Sequence, residues 1–319
     1  MTRADTYLWY GDTGSGKTSQ IGEIAEWEFA RTGRITRLIS ADSGWDPLEP
    51  KIAKGIIEAW NIQYLMNPFP VLVKLSEGYW PSPAQGKLVM VAPTPATWDR
   101  VGQVVIEGLS TISNLLMRDH IRNQRKLKDV SLSEFTLSID IESEGKVKSV
   151  SEKFGQADRS HYQQVQDFVL FDLVTRFATL PVSKVIWTAH EAKGDDDVTG
   201  IKNSVLGPAT IGKATVGKTA MKFGDTFHFS KSIQDKPGPG KARELVYQAF
   251  YEDHPDEVLT RMVWPAKLSQ PLANIPNLRK RFPGGFVPLS LTGGMDQFFE
   301  FKYGPDPKKE EGNGQTASK

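Results

Sequence analysis

Eight residues, Gly11-Asp12-Thr13-Gly14-Ser15-Gly16-Lys17-Thr18, fit the pattern G-x-x-x-x-G-K-[ST] and constrain the fold of this chain more than any other stretch in it. Glycines at the first, fourth and sixth positions let successive backbone N–H groups turn inward around a phosphate, and a following helix adds the partial positive charge of its N-terminus. Lys17 would reach terminal phosphate oxygens, and the Thr18 hydroxyl would join the coordination sphere of Mg²⁺. The flanks agree. Thr6–Tyr10 (TYLWY) is a β-branched and aromatic run suited to a buried strand. Beyond the loop, Ile21, Ile24, Ala25 and Phe29 fall on one face of a helix from Lys17 to about Arg31, and Gly33 stands where a C-cap glycine belongs. Arg34–Ala41 reads as a second strand. Strand, glycine loop, helix, strand is the opening of a right-handed βαβ unit, which predicts an α/β fold with a mostly parallel central sheet and helices on both faces.

The pattern occurs again at Gly212-Lys213-Ala214-Thr215-Val216-Gly217-Lys218-Thr219. Here Gly207-Pro208 precedes it, no apolar strand feeds it, and fewer glycines sit inside the turn. A flexible basic loop is the expectation at this second match, so the context of the first carries the weight.

Further along, the expected elements are a helix over Ile52–Trp60, short strands at Val71–Leu75 and Lys87–Val91, a buried strand at Gln103–Ile106 and a helix over Leu109–Arg118. Arg118 to Ser160 is polar and charged, and reads as a long loop or helical excursion. Tyr162–Leu180 is amphipathic and helical, Lys184–Thr188 (KVIWT) a strand, and strands resume at Asp225–Phe229 and Glu244–Tyr251. A length of 319 residues allows either two domains of ~150 residues or one enlarged α/β domain. The element order favours one domain over residues 1–303, with insertions at about 61–97 and 118–160. Residues 304–319, mostly Pro, Gly, polar and charged, read as a disordered tail.

Composition removes several classes. There is no cysteine, which excludes disulfide scaffolds, cysteine–zinc sites, iron–sulfur clusters and thiol catalysis. Lys and Arg number 39 against 38 Asp and Glu, so a contact with nucleic acid must come from a local patch. No run approaches the ~18–20 apolar residues that span a bilayer, which predicts a cytoplasmic protein with no membrane partner.

Three further residues have the position and chemistry to act beside the loop. Val104-Val105-Ile106-Glu107 is an apolar strand ending in an acid, the layout in which a carboxylate holds Mg²⁺ through water; most such strands end in Asp. Glu107 could instead cap the helix that follows. Asp42, at the tip of the second strand, could polarise an attacking water or could simply form a turn. Val185–Ala189 leads into His190, which could sense a terminal phosphate or be a hydrogen-bonded structural histidine.

With these residues in this order the chain resembles RecA-like ATPase cores. It is most similar to phage-encoded RecA-like ATP-binding proteins of single-strand annealing and recombination. Thr188–Glu191 (TAHE), Trp264–Lys267 (WPAK) and Phe282–Gly285 (FPGG) add to the likeness. The resemblance implies ATP and Mg²⁺ as ligands, with Lys17 and Thr18 on nucleotide and metal, Glu107 as the metal-holding acid, Asp42 as the water-activating acid and His190 as the sensor. The departures, Glu for Asp at 107 and a shorter acid at 42, could slow hydrolysis. It further implies a ring or filament of identical chains, recombination partner proteins, and a place in the host cytoplasm. Loops that face DNA in such folds hold Arg122, Arg125, Lys126, Lys202, Lys213 and Lys218 here, which suits sequence-tolerant contact with single-stranded DNA. The rival expectations are a nucleotide-binding switch or assembly factor with slow hydrolysis, and a small-molecule kinase.

Overall fold

A computed structural model describes residues 3–65, 68–84, 87–126, 134–143, 146–155, 159–194, 205–210, 216–235, 243–252, 254–256, 262–264, 266–268, 277–290 and 294–304. Eight strands form the central sheet: β1 (Asp5–Gly11), β2 (Ile35–Ser40), β3 (Ile57–Asn61), β4 (Val101–Glu107), β5 (Lys184–Ala189), β6 (Asp225–Asp235), β7 (Arg243–Phe250) and β8 (Phe286–Leu289). Their spatial order is β8-β7-β6-β1-β5-β4-β2-β3. From β6 to β3 every neighbouring pair is parallel, while β7 and β8 close the other edge antiparallel. The mostly parallel α/β layout with helices on both faces, expected from the loop and the strand order, is the one the chain adopts.

Both faces of the sheet are covered, which explains why β1, β2 and β4 are buried along almost their whole length rather than at alternate residues. Alternation survives as a division between two cores. Tyr7 and Trp9 of β1 join Ile21, Ile24 and Ala25 of α1 (Lys17–Thr32), together with Phe227 and Phe229 of β6. Phe29, expected on the same face of α1, is exposed, and Trp27 takes the buried place near the helix end. The C-terminal helix Met295–Tyr303 packs on this same face through Met295, Phe298 and Phe299. On the opposite face Leu8 and Tyr10 meet Leu109, Ile112, Leu115 and Leu116 of the helix Leu109–Lys126. That face is completed by the segment Arg159–Phe177, helical with a π-helical stretch at Phe168–Leu173.

A buried ion pair ties the first face to the sheet. Lys184 of β5 donates to Glu28 of α1, with both side chains almost fully buried, and the ammonium lies over the rings of Trp27, Phe299 and Tyr303.

Several expectations need correction. The expected helix Ile52–Trp60 is a short helix, Glu49–Ala53, followed by β3, because the chain turns at Lys54–Gly55 and Ile57–Asn61 pairs with β2. Val71–Leu75 is not a strand; it lies in the helix Pro68–Ser76, whose Leu72 and Leu75 point into the core. Lys87–Val91 is a strand, paired with Trp80–Ala84 outside the central sheet. Leu109–Arg118 continues as helix to Lys126, and Glu134–Ser143 pairs antiparallel with Lys146–Gly155 where a loop or helix was expected. Residues 305–319 of the expected tail lie outside the described residues. Among the described residues no helix is long and apolar enough to cross a membrane.

Candidate nucleotide-binding site

The loop after β1 is shaped by two glycines that no other residue replaces. A Cβ on Gly11 would sit 2.0 Å from the Phe229 carbonyl oxygen of the neighbouring strand. Gly16 is the N-cap of α1 in the left-handed region at φ 94°, where a side chain is strained. No side chain caps this helix and its first turn carries no acid, so its N-terminal amides remain available to an anion.

Lys17 folds back over the loop. Its ammonium donates to the Gly11 carbonyl at 2.8 Å, the Asp12 carbonyl at 2.9 Å and Ser15 Oγ at 3.2 Å. Burial lowers its pKa to about 8, against the pull of Glu191, Asp12, Asp42 and Glu107. A charge held only by neutral oxygens in a desolvated place is poised to gain from an anionic ligand.

Thr18, one residue on, donates its hydroxyl to Glu107 Oε1 at 2.6 Å. The other carboxylate oxygen, Oε2, lies 3.0 Å from Ser40 Oγ, and Ser40 is the register partner of Glu107 across β2 and β4. Burial pushes the Glu107 carboxyl up, and the bonds from Thr18 and Ser40 pull it back. Both oxygens of Glu107 are thus engaged, one with the loop threonine and one with Ser40.

Asp42 follows directly. Its Oδ1 accepts from Thr111 at 2.6 Å, and its backbone carbonyl accepts from Asn61 at 3.2 Å. His190 Nε2 lies 3.8 Å from Asp42 Oδ2, with the imidazole partly exposed, and its backbone N–H donates to Ser110 Oγ at 3.0 Å. The four residues expected to act, Lys17, Asp42, Glu107 and His190, all line one cavity of about 640 Å³, together with Thr13, Gly14, Ser15, Gly16 and Thr18. That volume is within the ~300–1,000 Å³ range of small-molecule sites.

The donor set fits Mg²⁺. A hydroxyl and a carboxylate are the hard oxygens such an ion takes, and Mg²⁺ keeps several ligands as water or phosphate oxygens. Among the described residues no group of three or more His, Asp or Glu side chains could by itself hold a metal ion.

Ser40, Thr111, Glu191, Lys231 and Tyr247 were not singled out from the sequence as site residues. Thr111 had a signal, since it stands in the first turn of the helix that follows the strand ending at Glu107. Lys231, whose ammonium donates to the Thr13 carbonyl at 2.7 Å, had none, being 218 residues away along the chain.

Of the basic residues expected to face DNA, Lys202 and Lys213 lie outside the described residues. Arg122, Arg125 and Lys126 fall at the C-terminal end of the helix Leu109–Lys126, where the helical backbone alone is described. Lys218 is exposed on the four-residue helix Val216–Thr219 and is not among the residues lining the cavity. At the second motif match a short strand, Val205–Pro208, precedes the motif where none was expected; residues 212–215 lie outside the described residues, and Val216–Thr219 is a four-residue helix.

No protein-family model and no curated protein matches this chain. Among solved structures it is similar to a KaiC-like protein from Pyrococcus horikoshii, at 13% identity and a TM-score of 0.39, covering 78% of this chain and 79% of that one. It is also similar to the flagellar accessory protein FlaH from Methanocaldococcus jannaschii, at 9% identity and a TM-score of 0.37, covering 78% of each chain.

Proposed function

We propose that the chain is a Mg²⁺-dependent, RecA-like ATPase. One observation carries the reading: Lys17, Thr18, Glu107 and Asp42 come from three separate strand ends and converge on a single cavity of about 640 Å³. The loop amides and Lys17 would hold the phosphates, and Thr18 with Glu107 would hold the metal, which supplies charge neutralisation at the phosphate oxygens. Asp42 stands at the same end of the cavity as His190 and Glu107. There its carboxylate would orient a water and take its proton as the water oxygen attacks the terminal phosphorus and the bond to the bridging oxygen breaks. Thr111 holds Asp42 for that role.

The narrower reading, ATP turnover coupled to single-stranded DNA in phage recombination, is supported by the likeness of the TAHE, WPAK and FPGG stretches and by the basic residues named above. The test is phosphate release from ATP by purified protein, with Mg²⁺ or with EDTA, and with or without single-stranded DNA. Turnover that needs Mg²⁺ supports the ATPase, and stimulation by DNA supports the narrower reading. Tight binding without turnover would point to a nucleotide-dependent switch, and a phosphorylated small molecule to a kinase.

A further inference from the structure

We propose that Lys231 is a ligand of the terminal phosphate supplied by the chain itself, so that the site needs no cation from a neighbouring copy. The inference rests on the ATP-binding reading above and extends it to a residue 218 positions from the loop.

The sheet places Lys231. On β6, Phe229 pairs in register with Gly11, the last residue of β1, so β6 runs on alongside the loop after β1 has ended. Side chains two apart on a strand share a face. Phe227 and Phe229 face α1 in the core, so Lys231 stands on the same face, next to the loop at the N-terminus of that helix. Its register partner on β7 is Tyr247, which lines the cavity; Lys231 itself stands just outside that lining, against the loop residue Thr13, which does line it.

The ammonium is held by weak acceptors. It donates to the neutral Thr13 carbonyl at 2.7 Å and lies 4.0 Å from Asp12 Oδ2, a carboxylate that is mostly exposed and screened by water. Lys17 holds the preceding carbonyl, that of Asp12, so two ammonium groups sit on successive carbonyls of the loop. A phosphate oxygen is a stronger acceptor than a peptide carbonyl, and the half-exposed, four-carbon stem of Lys231 leaves it free to follow such an oxygen. A third phosphate extending from the helix N-terminus toward the opening half of the loop would come within reach of Lys231, which would then distinguish a triphosphate from a diphosphate.

The test compares Mg·ATP with Mg·ADP in one titration series on wild type, Lys231→Met and Lys231→Arg. One charge-assisted hydrogen bond is worth about tenfold to a hundredfold in affinity. Lys231→Met should weaken ATP by about tenfold or more and ADP by less than about threefold, and Lys231→Arg should restore most of the difference. Because the ratio is read within each variant, a general loss of folded protein cancels. Wild-type turnover per chain should also stay constant on dilution. Equal losses for ATP and ADP would reduce Lys231 to a support of the loop, and turnover that collapses on dilution would assign the cation to another copy; either result overturns the proposal alone. A wild type that binds neither nucleotide overturns the ATPase reading along with it.

Discussion

The Thr18 hydroxyl donates to Glu107 Oε1 at 2.6 Å, joining the last residue of the glycine loop to the end of a strand two places away in the sheet. This bond converts a local motif into a site, because it sets a carboxylate where a loop-bound phosphate and its metal would lie. Glu107→Gln keeps the shape and removes the charge. It should leave ATP affinity within about threefold and lower turnover by a hundredfold or more, on the scale of losing an electrostatic contact to the reacting group. Parallel binding and phosphate-release assays check both halves, and unchanged turnover would mean that Glu107 only braces Thr18.

Lys17 gives the site a pH dependence. Burial lowers its pKa to about 8, below the ordinary lysine value of ~10.4, so in the free protein the ammonium loses its proton as pH rises through about 8. The unfolded chain binds that proton more tightly, and this group's contribution to stability therefore increases between about pH 8 and ~10.4. Phosphate binding needs the charged form, so nucleotide affinity should be flat below about pH 7.5 and fall above 8, by up to about tenfold per unit. Titrations at pH 7, 8 and 9 would show it. Constant affinity across that range would mean that the ammonium is not what holds the phosphates.

The Lys184–Glu28 pair tests the scaffold separately from the site. Removing one partner leaves an uncompensated charge among Trp27, Phe299 and Tyr303, at a cost of about 3–5 kcal/mol. Lys184→Met and Glu28→Leu should each show that loss in urea unfolding, and the double variant should recover most of it. Strictly additive losses would show that the two charges act independently.

Much of the glycine loop and its flanks was legible because the signals there are local. The run TYLWY, the glycine loop and the apolar face of α1 fall within the first 32 residues, where periodicity and turn chemistry decide the structure. Glu107, Asp42 and His190 were legible as strand-end polar residues, but their mutual placement depends on sheet order, which the sequence does not encode locally. The misread segments are short apolar runs. Val71–Leu75 reads equally as strand or helix, and the surrounding core decides for helix. Glu134–Ser143 carried a period-two signal at Phe135, Leu137, Ile139 and Ile141 that its charged surroundings masked. Lys231 was invisible because β6 reaches the loop only through its register with β1.

If Arg122, Arg125, Lys126, Lys202, Lys213 and Lys218 contact a phosphate backbone, single-stranded DNA binding should tolerate any sequence and weaken steeply with salt. Each phosphate neutralised contributes a log–log slope of about −0.7, so removing two of these cations should flatten the slope by roughly 1.4. Fluorescence anisotropy of a labelled oligonucleotide across a salt series measures this. No binding at low salt, with or without an ATP analogue, would remove DNA from the account.

The central claim is that the first glycine loop, and not its sequence double, binds the nucleotide. Titration of Mg·ATP into wild type, Lys17→Ala and Lys218→Ala tests it most directly. Lys17→Ala removes an ammonium from the cavity, whereas Lys218 is exposed on a four-residue helix and does not line that cavity. The account predicts binding by wild type, a loss of at least about a hundredfold in Lys17→Ala, and wild-type affinity within about twofold in Lys218→Ala. A large loss in Lys218→Ala with Lys17→Ala still binding would contradict it.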